Sequence, residues 1–488
     1  MSCDNGENKG NDNRLDAAHI KSIIALSLFS FIFLGVEFFF DSRAAEVVDA
    51  RRVLLYQSVI LLASVAGIFI YALFERILGR KTTQIVLVGL NIVGVLSLVG
   101  IITGSEKLIL AYGIAFFVVC GATGGDVYYT VSREYTDRKH LTVTVGISYA
   151  FGLLMQYINY NFIGSVVLRV VMFSFAIVAL TVILLLESDV CTEDSSMVNT
   201  YYIQDCRGKC DKTNADSSSV AVVLGVVILL MTFIFSALDN VVTLVHAEGG
   251  ADVGQWPRLF LALSGIVAGF LFDIKDQRFM NQMMYCVTVL SVIAMLIIEF
   301  GGTFIIGLIV FYLAAGFFAV YFTTGFINVS YGVRWPSLLT GAGRAVNNIG
   351  AGIVGIISYM LMDPPGIMVM SVVVILLLVL ISIAVFVLEN LQKKQYRRYD
   401  KEKVMESTGN SNARVEVDFE RFADTHHLTG REREVLQKLL VSDDSVQDIA
   451  DELYISRASL YRHIASMNEK TGTKTRVGLI QYYYGWHE

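Results

Sequence analysis

Charge is scarce in this chain. Of 488 residues only 17% are Asp, Glu, Lys or Arg, against 55% hydrophobic. A water-soluble chain carries about a quarter charged residues, so that class is excluded, and a mean hydropathy of +0.59 points to a chain that lies mostly in lipid. Proline is nearly absent. The four present, Pro257, Pro336, Pro364 and Pro365, stand near ends of apolar runs, so little interrupts long helices. Cysteine is also sparse. Cys3, Cys120, Cys191, Cys206, Cys210 and Cys286 show no disulfide framework. Cys206-Arg207-Gly208-Lys209-Cys210 are closely spaced, which leaves open a redox or metal role beside the plainer reading of reduced thiols in a loop. The seven histidines are scattered, and no nucleophile–base pair, phosphate loop or metal spacing occurs. No catalytic residue, metal site or cofactor is therefore expected, and the chain reads as something other than an enzyme.

What the chain has is apolar runs long enough to cross a bilayer. They fall near 20–40, 53–74, 84–103, 108–128, 141–160 and 165–186. After a polar break at 187–219, six more follow near 220–245, 257–273, 279–299, 303–325, 338–361 and 366–388. Residues 1–18 are polar, read as disordered, and lack the features of a signal peptide. With the N-terminus inside, the inner side collects Lys9, Arg14, Lys21, Arg76, Arg80, Lys81, Arg133, Arg138, Lys139, Lys275, Arg278, Arg334 and Arg344. The outer loops hold mainly Arg43, Arg51, Arg52 and Lys107. Thirteen cations against four put both termini on the cytoplasmic side of the membrane.

The two halves repeat each other. Phe31 to Glu37 matches Phe233 to Asp239, and Ala45-Glu46 matches Ala247-Glu248. Gly67-Ile68 and Leu73-Phe74-Glu75 match Gly265-Ile266 and Leu271-Phe272-Asp273, while Val127-Tyr128-Tyr129-Thr130 echoes Val320-Tyr321-Phe322-Thr323. Such repeats belong to transporter folds with a mid-membrane site at the repeat interface. The loop after the second run, Gly67…Glu75-Arg76-Ile77-Leu78-Gly79-Arg80-Lys81, resembles the loop motif of the major facilitator superfamily. A degraded copy, Gly269-Phe270-Leu271-Phe272-Asp273…Arg278, follows the eighth run. The resemblance implies spans 1, 4, 7 and 10 around a central cavity. Those spans carry Glu37, Asp126, Asp239 and Asn240, with His246 near an end. Ionisable groups inside spans are costly unless they pair or line a wet cavity. Glu37 and Asp239 occupy equivalent positions in the two halves. Either they hold a cationic or hydrogen-bond-donating small molecule between them, or each bonds a neighbouring helix.

The most specific stretch is the last. Thr429 and Glu432 have capping-box spacing before an apolar run. Ser445 opens a second helix with Ile449 and Leu453 at i, i+4, and Ser456 a third with Leu460, Ile464 and Met467 inward. Two short helices joined by about four residues is helix-turn-helix spacing. Leu428-Thr429, Arg431 to Leu436, Ile449-Ala450, Leu453, Ile455-Ser456, His463-Ile464, Lys470, Gly472 and Arg476 resemble the C-terminal domain of LuxR-type transcription regulators. Gly430 stands where that family has proline, and Tyr461 where it has a recognition-helix lysine, so that lysine contact is not carried over. Acid gathers between Glu432 and Glu452, whereas Arg457, Arg462, Lys470, Lys474 and Arg476 form a basic edge of the kind phosphate contact needs. The expected DNA-binding set is Arg457, Ser459, Tyr461, Arg462, His463, Lys470, Lys474 and Arg476.

The fold class expected is all-α: a polytopic membrane helix bundle with a 6+6 pseudo-repeat and a C-terminal four-helix helix-turn-helix domain. The expected domains are a disordered start at 1–18, a sensor at 19–388 and a linker at 389–427, flexible around Ser407 to Asn412. The DNA-binding domain follows at 428–488. The basic cluster Lys393, Lys394, Arg397 and Arg398 fixes topology or touches anionic lipid. The resemblances imply a membrane-anchored regulator that senses a small molecule and binds promoter DNA as a homodimer, or a transporter with a regulatory tail. Tyr482-Tyr483-Tyr484 serve either a dimer contact or core packing.

Overall fold

A computed structural model describes residues 7–103, 105–135, 140–186, 210–248, 255–275, 277–299, 303–331, 333, 335–361, 367–441, 446–453 and 455–486. No strand occurs among them. The chain divides into two compact units, Met1–Gln395 and Tyr396–Glu488.

The first unit begins with α1 (Glu7–Ala45), α2 (Ala50–Leu78), α3 (Arg80–Thr103), α4 (Glu106–Glu134), α5 (Leu141–Phe162) and α6 (Val166–Leu185). Its second half holds α7 (Cys210–Ala247), α8 (Arg258–Asp273), α9 (Met280–Glu299) and α10 (Phe304–Ser330). The short α11 (Pro336–Thr340) and α12 (Ala342–Met360) follow, and then α13 (Ile367–Thr425). Among the described residues nine helices or helix segments are long and apolar enough to cross a bilayer. The other three expected spans are there in altered form. Helix α8 has only 16 residues, about 24 Å at 1.5 Å per residue. The apolar part of α9 is Met280–Ile293. The eleventh run breaks at Gly341 into α11 and α12.

Packing repeats with the sequence. Helix α2 lies on α4 and α12, and its counterpart α8 lies on α10 and α5. Helix α1 packs on α5 as α7 packs on α12, and α3 on α4 as α9 on α10. Each half thus lends its fifth element to the second helix of the other half. These approaches depend on missing side chains, as is usual between helices in lipid. A Cβ on Gly121 of α4 would overlap the Ser64 carbonyl oxygen of α2, and one on Gly146 of α5 the Gly265 carbonyl oxygen of α8. The bundle's outer surface is greasy: Phe162, Phe175, Phe270, Ile375 and Phe386 are exposed, which suits lipid and not water.

Several expectations are corrected. Composition predicts coil at 1–18 and around 407–412, yet α1 starts at Glu7 and α13 runs to Thr425. Residues 7–18 and 407–412 each continue a long helix, which removes the cost of nucleation. Arg344, counted above among inner-loop cations, lies inside α12 and is 8% exposed. The stretch 187–209, with Cys191 and Cys206, lies outside the described residues, as do Cys3 and Ser445.

The second unit carries α14 (Gly430–Val441), α15 (Val446–Glu452), α16 (Arg457–Thr471) and α17 (Arg476–Gly485). Its core joins Val435, Leu436, Leu439, Ile449, Leu460, Ile464, Met467 and Leu479 to Phe419, Phe422 and Ala423 from the end of α13. The packed domain therefore begins before Leu428.

Candidate functional site

In the second unit the caps form as the sequence implies. The Thr429 N–H donates to Glu432 Oε2 at 2.7 Å, and the Glu432 N–H to Thr429 Oγ at 3.4 Å. Ser456 Oγ accepts from the Ser459 N–H at 3.2 Å and starts α16. Leu460, Ile464 and Met467 turn inward. Opposite them Arg457, Ala458, Tyr461, Arg462 and Ala465 are exposed over an arc of about 140° at 100° per residue. Tyr461 is 50% exposed. Lys474 is exposed, while Ser459, His463 and Arg476 are half-buried.

Lys470 is elsewhere. Its Nζ donates to Glu432 Oε2 at 2.6 Å and to the His427 carbonyl oxygen at 3.0 Å. Ser466 Oγ also donates to Glu432, at 2.7 Å. Burial alone would raise the Glu432 pKa, but Lys470, the Thr429 N–H and the Ser466 and Thr429 hydroxyls outweigh it and hold it at about 2. Lys470 is thus a strut between α14 and α16. Arg433 reaches back to Glu420 and Asp424 on α13. Tyr483 packs on Phe419 and Phe422, so the middle of the tyrosine run is core.

In the first unit Glu37 and Asp239 do come together, within electrostatic reach of each other. Glu37 Oε1 accepts from Gln57 Nε2 of α2 at 3.3 Å. Asp41, one turn further along α1, is 7% exposed and its Oδ1 has no hydrogen-bond partner. Two guanidiniums face these acids. Arg258 of α8 acts on Glu37, Asp41 and Asp239, with its Cζ 4.5 Å from the centre of the Phe38 ring. Arg344 of α12 acts on Glu37 and on Tyr128. It lies 4.8 Å from the Phe33 ring centre and 5.0 Å from that of Phe322.

The other two expected residues have partners of their own. Asp126, 1% exposed, accepts from the Tyr71 hydroxyl at 2.9 Å and lies 3.9 Å from Arg80. It anchors the loop motif between α2 and α3. Asn240 donates to Ser358 Oγ at 3.0 Å. Sequence reasoning missed Asp41, Arg258 and Arg344. Asp41 carried a usable signal, because i+4 from Glu37 is the same helix face.

Comparison with known proteins places each unit. Residues 426–483 match the family model described as bacterial regulatory proteins, luxR family. Over 49 residues the chain is 47% identical to the spore germination protein GerE of Bacillus subtilis (strain 168). That match covers 10% of this chain and 65% of the relative's length. Residues 426–483 form a luxR-family domain.

For the fold, the chain is similar to an auto-inhibited peptide transporter of the POT family, with TM-score 0.52 and 11% identity over 78% of this chain and 97% of that one. A human organic anion transporter (MFSD10) gives TM-score 0.47 and 12% identity, covering 78% and 97%. The first likeness shows the fold alone: the membrane unit is major-facilitator-like. In the luxR-type domain α15 and α16 are the helix-turn-helix pair, and α16 is its second helix.

Proposed function

We propose that this chain is a bacterial transcription regulator anchored in the cell membrane. Its bundle, expected at 19–388, binds a small molecule, and its luxR-type domain binds promoter DNA as a homodimer. The observation that carries the reading is the exposed face of α16, with Arg457, Tyr461 and Arg462 outward, on a chain whose other part is a transporter-like bundle. Both termini lie on the cytoplasmic side. With Arg344 removed the cation bias is still twelve against four. Arg457, Tyr461 and Arg462 approach the major groove, with Ser459, His463, Lys474 and Arg476 at its flanks. A ligand held by Glu37 and Asp239 favours one arrangement of the two halves, and that population shift alters the DNA-binding domain. No catalytic step is assigned.

The test is genome-wide DNA occupancy of the full-length protein in its membrane, beside Arg462→Ala. Discrete promoter peaks lost in the variant support the regulator; no peaks under any growth condition reject it. The fold favours one alternative, a transporter whose tail regulates its own expression. Ligand uptake by proteoliposomes would establish that reading.

A further inference from the structure

Buried charge in lipid is costly unless it is paired, so unpaired valence there marks a ligand. The membrane unit gathers three carboxylates, Glu37 and Asp41 on α1 and Asp239 on α7, and two guanidiniums, Arg258 on α8 and Arg344 on α12. Their roles differ. Arg258 acts on all three acids, and its own Nε also lacks a hydrogen-bond partner. Arg344 acts on Glu37 from a cage of Phe33, Phe322 and Tyr128. Two groups of opposite sign, each more than nine-tenths buried, keep an atom without a hydrogen-bond partner: Asp41 Oδ1 and Arg344 Nε. An amine alone would satisfy Asp41 and leave the arginine idle. A carboxylate alone would meet Arg344 and leave Asp41 Oδ1 without a donor.

We propose that the site takes a small bipolar molecule, its ammonium directed at Asp41, Glu37 and Asp239 and its carboxylate at Arg344. The inference rests on the ligand-binding reading above and narrows it from a cationic ligand to a zwitterion. Recognition draws on both halves of the bundle, since α1 belongs to the first and α7, α8 and α12 to the second. One molecule gripped at both ends therefore ties the halves together.

The experiment uses the full-length protein in lipid nanodiscs and calorimetric titration. The probes are linear ω-amino acids of increasing chain length, each beside the alkylamine and the alkanoate of the same length. One length should bind at least about tenfold more tightly than both of its monopolar analogues. Arg344→Gln should erase that advantage and leave amine binding in place, and Arg344→Lys should restore part of it. Where Arg344→Gln fails to fold, the comparison of probes on the unaltered protein decides alone. An amine that binds as tightly as its amino acid overturns the inference while leaving the cationic-ligand reading intact. A series in which no length binds overturns it too, and DNA occupancy then judges the regulator separately.

Discussion

Lys470→Met separates two jobs one lysine is able to do. The Glu432 carboxylate is 3% exposed and takes four donors: Lys470 Nζ at 2.6 Å, Ser466 Oγ and the Thr429 N–H at 2.7 Å, and Thr429 Oγ at 2.9 Å. Deleting one partner of a fully buried ion pair costs about 3–5 kcal/mol. Here the ammonium side chain is 29% exposed and three donors remain, so about 2 kcal/mol is expected. Hydrogen exchange of the full-length protein in nanodiscs reads this directly. Amides of α14 and α16 should exchange about thirtyfold faster, at one decade per 1.4 kcal/mol. The same variant should leave the salt dependence of DNA binding unchanged, measured on a promoter fragment recovered by occupancy mapping. A lysine on a phosphate would do the reverse: exchange would stay the same, and the slope of log K against log salt would fall by about 0.9. That outcome would refute the strut.

Three further outcomes follow from the same geometry. Glu432 titrates at about 2 when folded against an ordinary value of 4.5. Its stabilisation, on the order of 3 kcal/mol at most, is therefore complete above about pH 4.5 and lost as pH falls towards 2. Acid-induced exchange of α14 and α16 should show a component over that range that Glu432→Gln lacks, and an identical acid profile in the variant would count against the assignment. Gly121→Val drives a side chain into the Ser64 carbonyl oxygen and should abolish monodisperse protein in detergent, whereas Gly89→Ala, with nothing within 4 Å, should purify normally. Arg457→Ala should weaken DNA binding by about 1–3 kcal/mol if it contacts a base edge, with relaxed sequence preference at one position. Uniform weakening across sequences would place it on a phosphate instead.

The limits of legibility follow sequence distance. The capping box at Thr429 and Glu432 was readable because its partners are three residues apart, and Leu460, Ile464 and Met467 because a helix face repeats within a turn. The repeat of Glu37 in Asp239 was readable as similarity, and the two carboxyls stand within electrostatic reach of each other. What stayed hidden depends on residues brought from afar. Glu432 meets Ser466 and Lys470 across 34 and 38 positions, so clustered charge alone gave no sign of the strut. Asp126 meets Tyr71 across 55 positions, and nothing local distinguishes it from a cavity acid. Arg344 was concealed differently. Gly341 and Gly343 on either side of Ala342 resemble a loop, yet Gly343 is where α12 approaches the Phe322 carbonyl oxygen, and that approach carries the next residue into the aromatic cage. A glycine-rich start in a transporter-like span therefore signals close helix packing as readily as a turn. A cation immediately after it belongs among the candidates for the buried site before it is counted towards topology.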